Sequence, residues 1–97
     1  MSSDPVRFAR ALADSGRQQI LQLLWGRELC VRDLAQALGL SQPTVSHHLQ
    51  ILQRVGLVRA REAGRRTFYT LDLEVLDREL RALRLALRPT RRRARRR

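Results

Sequence analysis

Between residues 31 and 52, apolar side chains recur at positions i, i+3, i+4 and i+7 in two successive segments. This spacing predicts two amphipathic helices, each with one face turned toward a core. Gly39 lies after the first segment, where a left-handed residue ends a helix at no steric cost. Ser41 is placed to cap the second helix, with Pro43 in its first turn. The pattern therefore predicts two short helices joined by a tight turn.

The outer face of the second helix is polar and almost uncharged, because it is formed by Gln42, Ser46, His47, Gln50 and Gln53. Two short helices of this kind are typical of a helix-turn-helix whose second helix enters a DNA major groove. Residues 57–62 and 66–71 follow as two β-prone runs separated by Ala63-Gly64-Arg65, which predicts a hairpin. A helix-turn-helix followed directly by a basic hairpin indicates a winged helix.

The rest of the chain completes a fold of about five helices. Asp4 and Pro5 predict the start of a first helix that runs to about residue 14. Ser15 and Gln18 form a capping-box pattern that predicts a second helix. A last helix is predicted to begin near Asp72 and carries a stripe of leucines, Leu73, Leu76, Leu80, Leu83 and Leu87. The expected fold class is mostly α with a small β-hairpin wing (α+β).

Composition and charge narrow the function classes. The chain has 97 residues and a formal net charge of +11, and all of its cations are arginines. An excess of basic over acidic residues favours a nucleic-acid partner, although it does not by itself identify one. There is no apolar run of roughly 18 residues and no signal-peptide pattern, and the single Cys suits a reducing compartment. We therefore expect a cytoplasmic, nucleoid-associated protein with no membrane contact. The sequence contains no Ser/His/Asp set, carboxylate pair or Gly-rich phosphate loop of the kind that enzymes use, so an enzyme is not expected.

The predicted domain covers residues 1–88, and residues 89–97 form an arginine-rich tail. Pro89 stops the last helix, and the arginines after it repel one another too strongly to fold alone. We expect a disordered arm that lies along DNA phosphates and raises affinity without specificity. The alternative is a neutral extension with incidental charge.

Three blocks of the sequence resemble the ArsR/SmtB family of bacterial transcriptional repressors, in the family's order and spacing. They are ALADSGRQQILQLL, ELCVRDLAQALGLSQPTVSHHLQILQRVGLVRARE and GRRTFYTL, and the resemblance covers roughly residues 6–72. It implies a homodimer on an inverted-repeat operator, held by the first and last helices. The leucine stripe alone is equally compatible with packing on its own domain. The expected interface residues are Phe8, Leu12, Leu76, Leu80, Leu83 and Leu87.

Contacts with double-stranded DNA are expected at three sets of residues. Base edges are assigned to the first half of the second motif helix, at Gln42, Thr44, Ser46 and His47, where the resemblance also places the family's DNA contacts. Backbone contacts are assigned to Ser41 and Gln50. The wing is expected to place Arg61, Arg65 and Arg66 beside phosphates. A capping role for Thr44 and an ordinary solvated wing loop are the alternatives.

Many members of the resembled family bind a metal through Glu-Leu-Cys-Val-Cys-Asp-Leu at the start of the first motif helix. This chain has Cys30 in that pattern, but Arg32 replaces the second cysteine. A single soft ligand beside a cation does not form a zinc, cadmium or arsenic site, and the last helix has no His for the family's second site. We expect no metal and no cofactor. Arg32 is expected to pair with an acid such as Glu28 or to remain in solvent.

Two features leave alternatives open. His47 and His48 point about 100° apart on a helix, so they cannot chelate one ion, and His48 is expected to be a hydrogen-bonded core residue. Cys30 is either a redox sensor or a small buried hydrophobe.

The main hypothesis is an operator-specific dimeric repressor without a metal site and with an unknown inducer. The alternatives are an architectural DNA-binding protein, a repressor that senses redox state through Cys30, and a protein-interaction module.

Overall fold

A computed structural model describes residues 4–89, and within them the helices and the hairpin follow the predicted order. The elements are α1 Pro5–Leu12, α2 Ser15–Leu23, β1 Leu29–Cys30, α3 Val31–Leu38, α4 Gln42–Arg54, β2 Val58–Ala63, β3 Arg66–Leu71 and α5 Leu73–Leu87. The predicted class, mostly helical with a small β wing, is confirmed. The short strand β1 was not predicted. Apart from Pro89, the predicted arginine-rich tail lies outside the described residues.

Carboxylate and hydroxyl caps set where the helices begin. The side chain of Asp4 accepts the backbone N–H of Arg7 at the start of α1, and Asp72 accepts that of Val75 at the start of α5. The cap of α2 differs from the prediction, because Asp14, and not Ser15, accepts the backbone N–H of Arg17 at 3.0 Å. The chain leaves α1 at Leu12 to place this cap, so α1 ends about two residues earlier than expected.

The turn between α3 and α4 has the predicted geometry. Gly39 adopts φ 66°, a left-handed conformation that a residue with a side chain rarely takes. The backbone N–H of Leu40 then bonds to the carbonyl of Ala35 at 3.1 Å, which satisfies an end of α3. Ser41 begins α4 by accepting the N–H of Thr44 at 3.2 Å. The motif is therefore a helix-turn-helix with both ends hydrogen-bonded.

One hydrophobic core joins α1 to α4 and the base of the wing. Its fully buried members include Ile20, Leu24, Leu34, Val45, Leu49, Leu52 and Leu57. Phe8 also belongs to it, with 0% of its surface exposed in the single chain. The prediction that Phe8 lies in a dimer interface is thus wrong, since its ring is already covered by its own protomer. Leu57 is likewise a core residue, so the strand begins one residue later than predicted.

The wing is the outer part of a three-stranded antiparallel sheet in the order β1-β3-β2. Strands β2 and β3 pair from Val58 opposite Leu71 to Ala63 opposite Arg66. The connection is the two-residue turn Gly64-Arg65, and Gly64 has φ 64°, as a tight hairpin turn requires. The strand β1 pairs with the other edge of β3 and ties the wing to the start of α3.

Helix α5 packs against α1, and the leucine stripe of α5 divides between two environments. Leu76 and Leu83 are partly buried against the protomer's own core. Leu80 and Leu87 remain 43% and 76% exposed. Both interpretations of the stripe therefore apply, each to part of it. Among the described residues, no helix combines the length and the apolar character that crossing a membrane requires.

Candidate nucleic-acid interface

Helix α4 has one face locked into the core and one face free. Val45, Leu49 and Leu52 are essentially inaccessible, and they hold the helix at a fixed orientation on α2 and α3. On the opposite side the predicted base-reading residues Gln42, Thr44 and His47 are exposed, Ser46 is partly buried, and the predicted backbone contact Gln50 is exposed. A rigidly held helix with a free, uncharged polar face suits insertion into a groove.

The first turn of α4 uses two of the predicted DNA contacts in its own capping. The hydroxyl of Ser41 donates to Oγ1 of Thr44 at 2.8 Å while it accepts the Thr44 backbone N–H. The cap is thus Ser41, and the Thr44 hydroxyl bonds to that cap and not to a backbone group, so the capping role left open for Thr44 is not the one observed. Both side chains are nevertheless exposed, so their remaining lone pairs and the Thr44 hydroxyl proton face solvent.

A polar junction that the sequence interpretation missed joins α4 to the end of α1. Arg17 donates from Nε to the carbonyl of Ala11 at 2.7 Å and from Nη2 to that of Arg10 at 3.1 Å. Its Nη1 lies 3.3 Å from Nδ1 of His48. These carbonyls belong to the last turn of α1, where helix geometry leaves few backbone partners, and that of Arg10 also accepts the backbone N–H of Ala13 at 3.2 Å. Arg17 thus caps α1 and holds α4 with the same guanidinium.

The tautomer of the neutral His48 ring follows from its two neighbours. A guanidinium only donates, so Nδ1 of His48 accepts and Nε2 carries the proton in the neutral ring. Nε2 faces the Asp14 carboxylate at 3.8 Å. The backbone N–H of Arg17, followed by the charge of its guanidinium, lowers the pKa of Asp14 below its ordinary value. The side chain of His48 is 14% exposed, which fits the predicted hydrogen-bonded core residue.

The three wing arginines expected at phosphates lie in different environments. Arg65 and Arg66 are exposed at the turn, as predicted. Arg61 lies on β2, where its Nε and Nη2 donate to the two carboxylate oxygens of Glu28 at 2.9 and 2.7 Å. Its expected position at the wing tip is therefore wrong. The expected Glu28–Arg32 pair is wrong too, since Glu28 is bound to Arg61 across 33 residues of sequence, a distance at which no local pattern shows a pair.

The predicted sensing residue Cys30 is buried at the junction of β1 and α3, with 4% of its surface exposed. Its thiol donates to Oδ2 of Asp33 at 3.2 Å. Within residues 4–89, no three His, Cys, Asp or Glu side chains lie close enough together to hold one ion. The donor set at the family's metal-binding position, one thiol and one carboxylate beside an arginine, does not fit a soft metal.

An exposed apolar surface lies along helices α1 and α5. A groove of about 490 Å³ runs between α1 and α5, lined on the α1 side by Pro5, Val6, Ala9 and Ala13 and on the α5 side by Leu83, Ala86 and Leu87. Leu12, another predicted interface residue, is partly buried beside the core. The structure thus brings Leu83 and Leu87 of the predicted set together and places Phe8 beneath the surface.

Comparison with known proteins identifies the family. Residues 14–60 match the family model described as "Bacterial regulatory protein, arsR family". The transcriptional repressor SdpR of Bacillus subtilis is 34% identical over 68 residues, which cover 70% of this chain and 76% of SdpR. This chain belongs to the ArsR family. The resemblance inferred from the three sequence blocks is confirmed.

Two further relatives show how far the similarity extends. A transcriptional repressor SmtB homolog of Synechocystis is 45% identical over 64 residues, which cover 66% of this chain but 48% of that protein. The chain therefore spans about half the length of that relative. A solution structure of Mb0332 from Mycobacterium bovis, described as a homodimeric winged helix-turn-helix DNA-binding domain, matches with a TM-score of 0.70 and 36% identity. The match covers 84% of this chain and 76% of Mb0332.

Proposed function

We propose that this chain is a sequence-specific DNA-binding repressor of transcription that acts as a homodimer on an inverted-repeat operator. The observation that carries the proposal is the geometry of α4. Its apolar side is locked into the core, and its first half presents uncharged polar side chains to solvent, in a chain of the ArsR family. This is the arrangement with which a helix-turn-helix reads base edges.

Each exposed residue of the interface has a chemical role in the proposal. Gln42 pairs with adenine through its amide, while Ser46 and His47 contact base edges beside it. Ser41 and Gln50 contact the sugar-phosphate backbone. Thr44 adds its hydroxyl to the same groove edge. The free guanidinium groups of the wing turn, those of Arg65 and Arg66, bind phosphates and fix the register of the protein on the duplex.

Dimerisation is proposed through the face formed by α1 and α5. Mb0332 is described as homodimeric, and in this chain α1 and α5 frame an apolar groove with the exposed Val6 and Leu87 in its lining. A small chain of this size gains stability by covering such a surface with a second copy. Two protomers related by two-fold symmetry present two α4 helices about one DNA turn, or a multiple of it, apart, which requires an inverted repeat.

The proposal includes neither a metal response nor a redox response. Arg32 stands where the family's metal-binding pattern has a second cysteine, and it supplies a positive charge without a lone pair. Cys30 is buried and its thiol is hydrogen-bonded to Asp33, so neither a metal ion nor an oxidant reaches the sulfur in the folded chain. We therefore assign Cys30 a structural role in the core.

The experiment begins with selection of a binding sequence from a random duplex library, followed by fluorescence anisotropy. Gln42→Ala and Ser46→Ala should each weaken binding to the selected duplex by roughly 1–3 kcal/mol and leave binding to random duplex almost unchanged. Gln53→Ala, at the far end of the same helix, is the matched control and should change neither. Equal affinity of the unmodified protein for selected and random duplexes would instead indicate an architectural DNA-binding protein.

A further inference from the structure

Two acidic side chains of the domain body bind the two arginines of strand β2. Arg59 Nε lies 2.8 Å from Oδ2 of Asp72, the residue that caps α5. Arg61 is held by both carboxylate oxygens of Glu28, which immediately precedes β1. At the wing turn, Arg65 and Arg66 have no acidic partner within residues 4–89. The wing's cations are therefore divided between two that are paired and two that are free.

The Glu28–Arg61 pair crosses the central strand of the sheet. Cys30 of β1, Phe68 of β3 and Arg61 of β2 lie in one row of the sheet, and Glu28 lies two residues before Cys30, on the same side. To reach Glu28, the guanidinium of Arg61 extends over the Phe68 ring, 5.3 Å from its centroid. The contact is two-pronged, so it fixes the plane of the guanidinium as well as its position.

The pair remains ionised at neutral pH. The hydrogen bonds from Arg61 lower the pKa of Glu28 below its ordinary value, and those same bonds raise the pKa of Arg61. Both side chains are accessible to solvent, so the contact adds little to the stability of the fold. Its main consequence is directional, because it turns the charge of Arg61 toward the domain body and away from the wing turn.

We infer that Glu28 is a positioning residue that keeps Arg61 off the DNA backbone and so lowers the sequence-independent affinity of the protein. Phosphate contacts supply essentially all of the non-specific binding of such proteins, and each one steepens its salt dependence. With Arg61 bound to Glu28, only Arg65 and Arg66 of the wing contribute phosphate contacts to non-specific binding. The inference rests on the proposed function, since it requires DNA as the ligand.

The test measures affinity for a random-sequence duplex by anisotropy between 50 and 200 mM salt. Glu28→Gln keeps the shape of the side chain and frees Arg61, which adds one phosphate contact per protomer. The slope of log K against log salt should then steepen by about 1.8 for the dimer, an additional loss of about twelve-fold over this salt range. Arg61→Gln alone should leave the slope as in the unmodified protein. The Glu28→Gln, Arg61→Gln double variant should also have that slope.

Glu62→Gln is the matched control, because Glu62 is an exposed neighbour of Arg61 whose carboxylate forms no ion pair within residues 4–89. It removes the same charge without freeing an arginine, so it should leave the slope unchanged. A second variant exchanges the partners, Glu28→Arg with Arg61→Glu. It should restore the ion pair with reversed polarity and retain the original salt slope. This variant therefore keeps the inference testable even if Glu28→Gln does not fold.

Three results would overturn the inference. A flatter slope in Arg61→Gln alone would mean that Arg61 already contacts phosphates and that DNA displaces Glu28. An unchanged slope in Glu28→Gln would mean that the pair is structural only. A steeper slope that persists in the double variant would assign the effect to net charge and not to Arg61. Failure of the unmodified protein to bind any duplex would refute the proposed function itself, which is a distinguishable outcome.

Discussion

Replacement of Arg17 tests the junction between helices α1 and α4. Arg17→Met retains most of the side-chain volume and removes all of the guanidinium donors. The carbonyl of Ala11 loses its side-chain donor, the carbonyl of Arg10 keeps only the backbone N–H of Ala13, and Nδ1 of His48 loses its donor. The charge-assisted bond to Ala11, at 2.7 Å and partly buried, accounts for about 1.5 kcal/mol. The longer bonds to Arg10 and His48 add less, because one is exposed and the other is 3.3 Å long.

We expect a total loss of roughly 2–3 kcal/mol in the free energy of unfolding, which corresponds to about 10–20 °C in melting temperature for a domain of this size. The measurement is urea and thermal unfolding followed by circular dichroism. Protomer concentration is held constant, because dimerisation would otherwise shift the apparent stability. Arg17→Lys, which keeps the charge and a single donor group, should recover part of the loss.

Arg7→Met is the matched control for the same chemical change. Arg7 is an exposed residue of α1, and its guanidinium forms no hydrogen bond or ion pair within residues 4–89. It should change the free energy of unfolding by less than about 0.5 kcal/mol. If Arg17→Met proved as mild as this control, the guanidinium would not be holding α1 and α4 together, and the reasoning would fail.

Three further predictions follow from the same structure. Leu80→Glu with Leu87→Glu should give a folded monomer in sedimentation, because both leucines are exposed in the single chain; a folded dimer would show that the interface lies elsewhere. Zinc, cadmium and arsenite should not release the protein from DNA in a reducing anisotropy titration; release at one metal per protomer, abolished by Cys30→Ser, would reveal ligands shared across protomers. Asp72→Asn keeps the cap but loses the charge that Arg59 and α5 favour. It should lower the free energy of unfolding by about 0.5–1 kcal/mol at pH 7.

The pH dependence of that last difference has a definite sign. The backbone N–H of Val75, followed by Arg59, lowers the pKa of Asp72 in the folded protein. The carboxylate therefore stabilises the fold above the unfolded pKa of about 4, and this contribution disappears as the pH falls through the lowered value. Urea unfolding should show the gap in the free energy of unfolding between Asp72→Asn and the unmodified protein at pH 7, and its closure as the pH falls below about 4. A gap independent of pH would assign the effect to packing.

Local sequence determined most of the secondary structure, because its signals act over three or four residues. The sequence alone predicted the helix caps at Asp4, Ser41 and Asp72, the left-handed Gly39 and the helical spacing of apolar residues. The helices begin where these signals predicted. Apart from the two-residue strand β1, which was missed, errors at this level were of one or two residues. They arose where two caps competed, as at Asp14 and Ser15, since either residue type can accept the same backbone donor.

Only the tertiary structure decided what each face and each charge contacts. Periodicity placed Phe8 on an apolar face of α1, but it could not show whether a second copy or the protomer's own core covers that face. Charge pattern placed Arg61 beside the wing turn, yet its partner Glu28 lies 33 residues earlier. The bond between Arg17 and His48 spans 31 residues. Side chains this far apart meet only after the chain has packed, so the functional state of each arginine is a property of the fold.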